Sequence, residues 1–154
     1  MRLAAALASS LLLTPLPLAD HHHVVSVDAT AFANVRTFSM REGRATTARP
    51  ELNNRLIFGK IEDAIRTQLA MRGLKESSND PDVFVSFVVG EDRPNGPSVI
   101  FNQGTLVIDV TARDSNKLIW QGVYTDEKSS PAKHAEKLTS DVKTLLSEFP
   151  PKKK

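Results

Sequence analysis

Residues 104–125 read GTLVIDVTARDSNKLIWQGVYT and predict a β-hairpin, from which the rest of the architecture can be worked out. Apolar residues at positions 106, 108, 110 and 112 alternate with mostly polar ones, as is typical of a β-strand with two unlike faces. The polar segment 114–117 predicts a turn, because its short side chains hydrogen-bond to their own backbone. Residues 118–125 return as a second strand that holds the only Trp and the only Tyr of the chain. We expect Trp120 to be buried against a helix, since a buried aromatic side chain removes roughly 150–250 Å² from water.

The composition is that of one ordinary globular domain. The chain has 154 residues, of which 40% are apolar and 25% charged, enough to bury one core. Its net charge of +2 includes the three terminal lysines and becomes −1, with 17 positive and 18 negative side chains, when they are left out. We interpret residues 152–154 as a basic tail and expect no nucleic-acid partner. The absence of cysteine excludes a disulfide, a thiolate nucleophile and a Cys-based zinc site.

The first 19 residues have the pattern of a secretory signal peptide. Arg2 precedes an apolar run, Leu3–Thr14, and a proline-containing segment then ends at Ala19. A positive start, about a dozen apolar residues and a small residue before the first acidic one are the features that such peptides share. We therefore predict cleavage after Ala19 and a periplasmic or secreted protein. The apolar run is too short to span a membrane and is followed by Pro15, so we expect no transmembrane segment.

Between the signal peptide and the hairpin, the pattern changes from strand to helix and back. Two β-prone pieces, Val24–Asp28 and Val35–Ser39, predict one interrupted strand or two short ones. A helix is predicted from Pro50 to Gly73, because apolar residues recur there at three- and four-residue steps. Asp82–Val89 is apolar on both faces, as expected of a central strand. The expected buried stripe of the helix is Leu56, Ile57, Ile61, Ala64, Ile65 and Leu69.

The C-terminal part predicts a second helix. Ser130 suits an N-cap, Pro131 suits a first helical position, and Pro150 and Pro151 end the pattern. The element order is then β-α-β-β-β-α. This order predicts a single α+β domain over residues 20–151, in which two helices pack on one face of a mostly antiparallel sheet. The apolar stripe of the second helix is Ala135, Leu138, Val142, Leu145, Leu146 and Phe149.

A series of short motifs follows in order along the chain: Asp28 and Phe32 before Arg36–Phe38; Ile61, Ala64, Ile65, Leu69 and Gly73; Pro81–Val85; Gly104–Asp109; Trp120–Gly122; and Phe149–Pro150. Taken together, these motifs resemble the DUF4136 family. The resemblance covers almost all of residues 20–151 and implies a bacterial cell-envelope protein with no established enzymatic activity and no catalytic residues to transfer. Many members are lipoproteins, but this chain lacks the cysteine that carries the lipid, so we expect no lipid anchor.

The sharpest chemical feature is the run His21, His22 and His23. If Asp20 becomes the new terminus, its α-amine, two amide nitrogens and the imidazole of His22 form a square-planar set suited to Cu(II) or Ni(II). Exposed imidazole clusters bind metal ions in general. The alternative is a flexible, solvated leader without a metal.

Other titratable residues do not combine into a catalytic site. His134 lies near serines in the first turn of the second helix, but no G-x-S-x-G motif accompanies it, and we interpret it as a surface histidine. Asp109 alternates with apolar residues and is interpreted as a solvent-face or capping residue rather than a catalytic acid. The loop Gly90–Pro97 lacks the Lys-Ser or Lys-Thr pair of a phosphate-binding loop.

We accordingly predict an exported cell-envelope protein that is not an enzyme and acts as a binding domain. Its partner is an envelope protein or a small ligand, bound through the sheet or the loop Gly90–Pro97. An exposed sheet edge favours partners that add a strand, whereas a deep apolar pocket under the first helix favours a small ligand. The alternative function is a periplasmic metal-binding protein that uses His21, His22 and His23.

Overall fold

The computed structural model describes residues 21–26, 29–47, 49–90, 105–126 and 131–149. The predicted signal peptide, residues 91–97 of the predicted loop and the basic tail lie outside these residues. Within them, neither helix is long and apolar enough to cross a membrane. The elements are β1 (His21–Ser26), β2 (Thr37–Met40), β3 (Arg44–Ala45), α1 (Arg55–Met71), β4 (Lys75–Glu76), β5 (Val83–Gly90), β6 (Thr105–Ala112), β7 (Leu118–Thr125) and α2 (Pro131–Leu146), with a 3₁₀ helix at Ala29–Phe32.

The predicted hairpin is confirmed as β6 and β7, which pair antiparallel in the middle of the sheet. Val110 lies opposite Trp120, which is fully buried as predicted. The rings of Trp120 and Phe149 meet edge to face, with centroids 5.2 Å apart. A bulge near the turn places Thr111 opposite Leu118. Because a bulge adds one residue to a strand, Leu118 does not share the face of Trp120 that strict alternation assigns to it.

The sheet is mixed, with strand order β1-β7-β6-β5-β2-β4 and β3 also pairing with β5. The α+β class is confirmed, and the long strands β1, β7, β6 and β5 pair antiparallel with one another. β2, β3 and β4 pair in parallel instead. The predicted order β-α-β-β-β-α is therefore incomplete, because two-residue strands are too short to show alternation. The parallel pairing of β2 with β5 follows from α1, since a helix that crosses between two strands returns the chain in the same direction.

The two β-prone pieces near the amino terminus are separate strands. β1 begins at His21, before the predicted start at Val24, and lies at one edge of the sheet. β2 lies on the other side of β5. The distance between them in the sheet excludes the alternative of one interrupted strand.

α1 begins later than predicted and ends where predicted. Asn54 is the N-cap, and its side-chain oxygen accepts a hydrogen bond from the backbone N–H of Ile57 at 2.9 Å. Pro50 therefore precedes the helix rather than opening it. Gly73 has a φ of +83°, and the N–H of Leu74 donates to the carbonyl of Leu69 at 3.1 Å, which closes the helix with a Schellman motif.

Both helices cover the same face of the sheet, as predicted. Phe58 of α1 packs edge to face on Phe87 of β5, with centroids 5.6 Å apart. Leu145 of α2 lies beside Gly122 of β7. Phe87 and Gly122 share a face, because both are cross-strand partners of Ile108.

One member of the predicted stripe of α1 does not join this core. Ile61, Ile65 and Leu69 are fully buried, but Leu56 is 70% exposed. Leu56 precedes Ile61 by five residues, which places it about 140° away around the helix axis. The prediction of a buried Leu56 was therefore wrong.

Candidate functional site

Within the described part of the chain, β1 forms an open edge of the sheet. It pairs with β7 on one side, and no strand in the described part of the chain lies on its other side. Its sequence, HHHVVS, contains no Lys, Arg, Asp, Glu or Pro. The opposite edge, β4, has only two residues, Lys75 and Glu76, and both are charged and exposed. Proteins protect edge strands by shortness, charge or proline, and β1 has none of these protections.

The backbone groups that β1 presents outward follow from the registers of the sheet. The N–H of Arg41 donates to the carbonyl of Val85 at 2.8 Å, so the odd-numbered residues of β5 face β2 and β3. Hydrogen-bonding direction alternates along a strand, and antiparallel partners exchange bonds in pairs. The registers of β5 with β6, β6 with β7 and β7 with β1 then fix the direction in each following strand. In β1, the backbone groups of residues 21, 23 and 25 point toward β7. The free edge therefore presents the N–H and C=O groups of His22, Val24 and Ser26.

The three predicted metal ligands are the first residues of β1 and not part of a flexible leader. Consecutive residues of a strand point to opposite faces, so His22 and His23 lie on opposite sides of the sheet. His22 is on the helix face, where its Nε2 is 3.3 Å from a carboxylate oxygen of Glu148. Among the described residues, no three His, Cys, Asp or Glu side chains are grouped so that they could hold a metal ion.

A second group of titratable residues lies under α2. His134 is fully buried, so the prediction of a surface histidine was wrong. Its Nδ1 lies 4.0 Å from Oδ2 of Asp141. Burial lowers the pKa of His134 to about 4; the charge of Lys137 acts in the same direction, and that of Asp126 opposes it. His134 is therefore neutral at pH 7.

Two charged residues near His134 form a hydrogen bond that connects α2 with the end of β7. Nζ of Lys137 donates to Oδ2 of Asp126 at 2.8 Å, and Asp126 is 1% exposed. The sequence carries a signal for this arrangement that an apolar pattern alone does not detect. His134 and Asp141 fall on the same three- and four-residue steps as Leu138 and Leu145, so they belong to the buried stripe.

Asp82 joins the starts of β2 and β5. Its Oδ2 accepts hydrogen bonds from the N–H groups of Arg36 and Thr37, both at 2.8 Å, and from the Thr37 hydroxyl at 2.9 Å. The bond from the Arg36 N–H, followed by those from Thr37, lowers the pKa of Asp82 below its ordinary value. The motifs Arg36–Phe38 and Pro81–Val85 are thus two halves of one structural contact.

Asp109 lies on the outer face of the sheet, opposite the helices, in agreement with its interpretation as a solvent-face residue. It is partly buried, and its carboxylate accepts a hydrogen bond from Nε2 of Gln121 at 2.7 Å. The two residues are cross-strand partners in β6 and β7. This contact gives Asp109 a structural role in the hairpin.

Two cavities of the described region are lined mainly by polar side chains. Small-ligand sites are mostly apolar with a few polar groups, and the cavity at the start of α1 does not have that character. The first, about 440 Å³, lies at the start of α1 and is lined by Glu42, Asn53, Asn54, Arg55, Phe58, Gly59 and Glu62. The second, about 390 Å³, lies between the helices and is lined by Lys60, Asp63, Ala64, Thr67, Gln68, Thr139 and Lys143.

The fold and the open edge define a class of small α+β domains in which two helices cover one face of a mixed sheet. The chain belongs to the DUF4136 family, a domain of unknown function, whose family model matches residues 23–151. No curated protein matches the chain significantly.

Two solved structures share this fold. A DUF4136 family protein from Bacteroides thetaiotaomicron VPI-5482 is 11% identical, with a TM-score of 0.59, and the match covers 84% of this chain and 94% of that one. A PDZ domain protein from Parabacteroides distasonis ATCC 8503 is 15% identical, with a TM-score of 0.59. This second match covers 88% of this chain and 37% of that one. At these identities the likeness concerns the fold alone.

Proposed function

We propose that this protein is an exported, non-enzymatic binding domain of the cell envelope, and that the edge strand β1 is its binding element. The open edge is the observation that carries the proposal. An extended segment that adds to such an edge gains main-chain hydrogen bonds, and alternate side chains on each face give specificity. Val25, which is 39% exposed, supplies an apolar contact beside the outward-facing groups.

The titratable residues support binding rather than catalysis. His134 and Asp126 are buried, and Asp126 is bonded to Lys137 within the domain. Asp82 is exposed, but its Oδ2 accepts three hydrogen bonds, one from Arg36 and two from Thr37. A catalytic site needs a nucleophile, a base and a stabilising donor that converge on a substrate. Asp126 and Asp82 are instead held in hydrogen bonds within the domain, and His134 is enclosed in the core. Export is supported by the signal-peptide pattern of residues 1–19 and by the family resemblance.

Photo-crosslinking in living cells tests the binding element. A photoreactive amino acid at Val25 lies beside the open edge, whereas one at Met71, which is 74% exposed at the end of α1, serves as the matched control. We expect position 25 to crosslink to an envelope protein and position 71 not to do so. Val24→Pro should abolish the crosslink, because it removes an outward N–H without removing a bond to β7, while Val24→Thr should preserve it. Crosslinks from position 71 alone, or crosslinks from position 25 that survive Val24→Pro, would contradict the proposal.

Export is tested separately by intact mass in cell fractions. A mass that begins at Asp20 in the periplasm or the medium is expected. A full-length mass confined to the cytoplasm would contradict the proposed export to the cell envelope.

The alternative function is metal binding at the processed amino terminus, and it requires backbone groups that pair β1 with β7. The square-planar set needs the backbone nitrogens of His21 and His22, and residue 21 faces β7 opposite Thr125. Copper coordination in this form therefore requires the first residues of β1 to leave the sheet. Tight binding of Cu(II), accompanied by faster hydrogen exchange at His23, would favour this alternative, and weak binding that an extension before Asp20 leaves unchanged would exclude it.

A further inference from the structure

We propose that the occupant of the β1 edge is β1 of a second copy of this chain, so that two sheets join into one continuous antiparallel sheet. This inference rests on the proposed function, in which β1 is the binding element, and it names the partner.

The register of such a dimer follows from the outward-facing groups. Two opposed residues of an antiparallel pair exchange hydrogen bonds only when the backbone N–H and C=O groups of both point toward the other strand. Residues 22, 24 and 26 of one chain must therefore lie opposite residues from the same set in the second chain. A two-fold axis through Val24 satisfies all of them: Val24 opposes its own copy, and His22 opposes residue 26 of the second chain. A shift of the axis to His23 or to Val25 leaves one outward-facing residue of each chain without a partner. One register therefore uses every outward-facing group of the edge.

The side chains fit this register. Val24 packs partly buried against the core on the helix face, and at the axis it meets another Val24, which is a favourable pair of β-branched residues. On the outer face, Val25 meets His23 of the second copy. β1 contains no Lys, Arg, Asp or Glu, so no opposed pair combines formal like charges. The opposite edge cannot pair in this way over any length, since β4 has two residues and both are charged.

A self-complementary edge favours a second copy over an unrelated strand. The same six residues supply both sides of the ladder, so that no second sequence has to match them. Pairing of single edge strands buries less surface than a standard stable interface, and we expect a dissociation constant on the order of micromolar.

Sedimentation velocity over a range of about 1 to 500 μM tests the dimer on the protein purified from cells. The unaltered protein should pass from monomer to dimer. Val24→Pro should raise the dissociation constant about tenfold or more, because both Val24 N–H groups are lost at the axis. Val24→Thr keeps the β-branched shape and the N–H, and it should change the constant by less than about threefold.

Hydrogen exchange of the unaltered protein gives a second readout that does not depend on a variant. The amides of His23 and Val25 face β7 and should be protected at every concentration, whereas those of His22 and Val24 should become protected only as the dimer forms. A monomer over the whole range, a dimer that Val24→Pro leaves intact, or unprotected amides at His22 and Val24 within a dimer would each overturn this inference. If the protein is a monomer and position 25 still crosslinks to another envelope protein, the proposed function stands and the second copy is excluded.

Discussion

Asp82 and His134 are titratable residues that contribute to the domain in opposite ways. Asp82 is exposed and works as a charged acceptor at the junction of β2 and β5. His134 lies on the buried face of α2 and contributes as a neutral side chain. The pKa of each is lowered, but the lowered pKa favours the charged form of Asp82 and the neutral form of His134.

We expect Asp82→Asn to reduce the free energy of unfolding at pH 7 by about 1 kcal/mol, a small value because solvent screens the exposed carboxylate. Since the pKa of Asp82 is lowered in the folded state, its stabilisation is complete above the unfolded value near 3.9 and is lost as the pH falls through the folded value. Urea denaturation at neutral and acidic pH measures the difference, which should shrink in acid.

The matched control for Asp82 is Asp114→Asn. Asp114 is 83% exposed and pairs with Arg113 at the surface, so the substitution should cost less than about 0.5 kcal/mol. Equal losses for the two variants would show that the bonds from Arg36 and Thr37 contribute nothing beyond a surface charge.

We expect His134→Leu to flatten the pH dependence of stability between about 4 and 6.5. The pKa of the histidine is near 6.5 when unfolded and about 4 when folded, so the unfolded chain binds the proton first. Stability is therefore complete above pH 6.5 and falls by about 3 kcal/mol as the pH approaches 4, and this decline should disappear in the variant. Chemical denaturation at half-unit pH steps measures it. A slope that His134→Leu leaves unchanged would show that other groups cause the decline.

At the scale of elements, close packing decides where glycine is required. Gly122 lies in β7 where a Cβ would come within 2.6 Å of Cη2 of Trp120 and 3.3 Å of Cδ2 of Leu145. Gly59 lies inside α1, where a Cβ would meet nothing within 4 Å. The same change of residue should therefore have opposite effects in the two elements.

We expect Gly122→Ala to destabilise the protein by about 1–3 kcal/mol, because the added methyl group overpacks the contact between Trp120 and α2. Gly59→Ala should stabilise it by up to about 1 kcal/mol, because alanine loses less backbone entropy in a helix. Thermal unfolding of the two variants beside the parent protein measures both effects. A destabilised Gly59→Ala together with a neutral Gly122→Ala would contradict this account of the core.

At the scale of the whole molecule, the sheet joins segments that lie far apart in the chain. β1 pairs with β7, so that His21 lies opposite Thr125, whereas β6 and β7 are joined by a short turn. Pairing β1 with β7 requires a long loop to close first, and this closure costs conformational entropy before the pairing contributes any stability. The hairpin closes over a short turn, so its entropy cost is smaller. We therefore expect the open edge, proposed as the binding element, to join the sheet after the hairpin has formed.

We expect this order of assembly to appear in folding kinetics. Val110→Ala in the hairpin should slow folding and give a φ-value above about 0.5, whereas Val24→Ala in β1 should mainly speed unfolding and give a φ-value below about 0.3. Stopped-flow measurements in urea at low protein concentration provide both values. The reverse ranking would place β1 in the folding nucleus and contradict this order.

The sequence alone determined the elements that local patterns encode. Alternation predicted the hairpin, and a run that is apolar on both faces predicted the central strand. Periodicity predicted the buried stripe of α1 except at Leu56, and Gly73 marked the end of the helix. His21, His22 and His23 were recognised as chemically distinctive, and the order of short motifs was enough to indicate the family. The strands, the helix and the histidine run depend on residues within a few positions of one another, which is the range over which backbone geometry and side-chain facing are set.

Only the tertiary structure decided which strands are neighbours. It placed β1 at an open edge and paired β2 with β5 in parallel. It also brought Asp82 to the backbone of Arg36 and Thr37. Each of these outcomes is a contact between distant segments, and such contacts are chosen by the packing of the whole core and by loop closure, which no local pattern in the chain records.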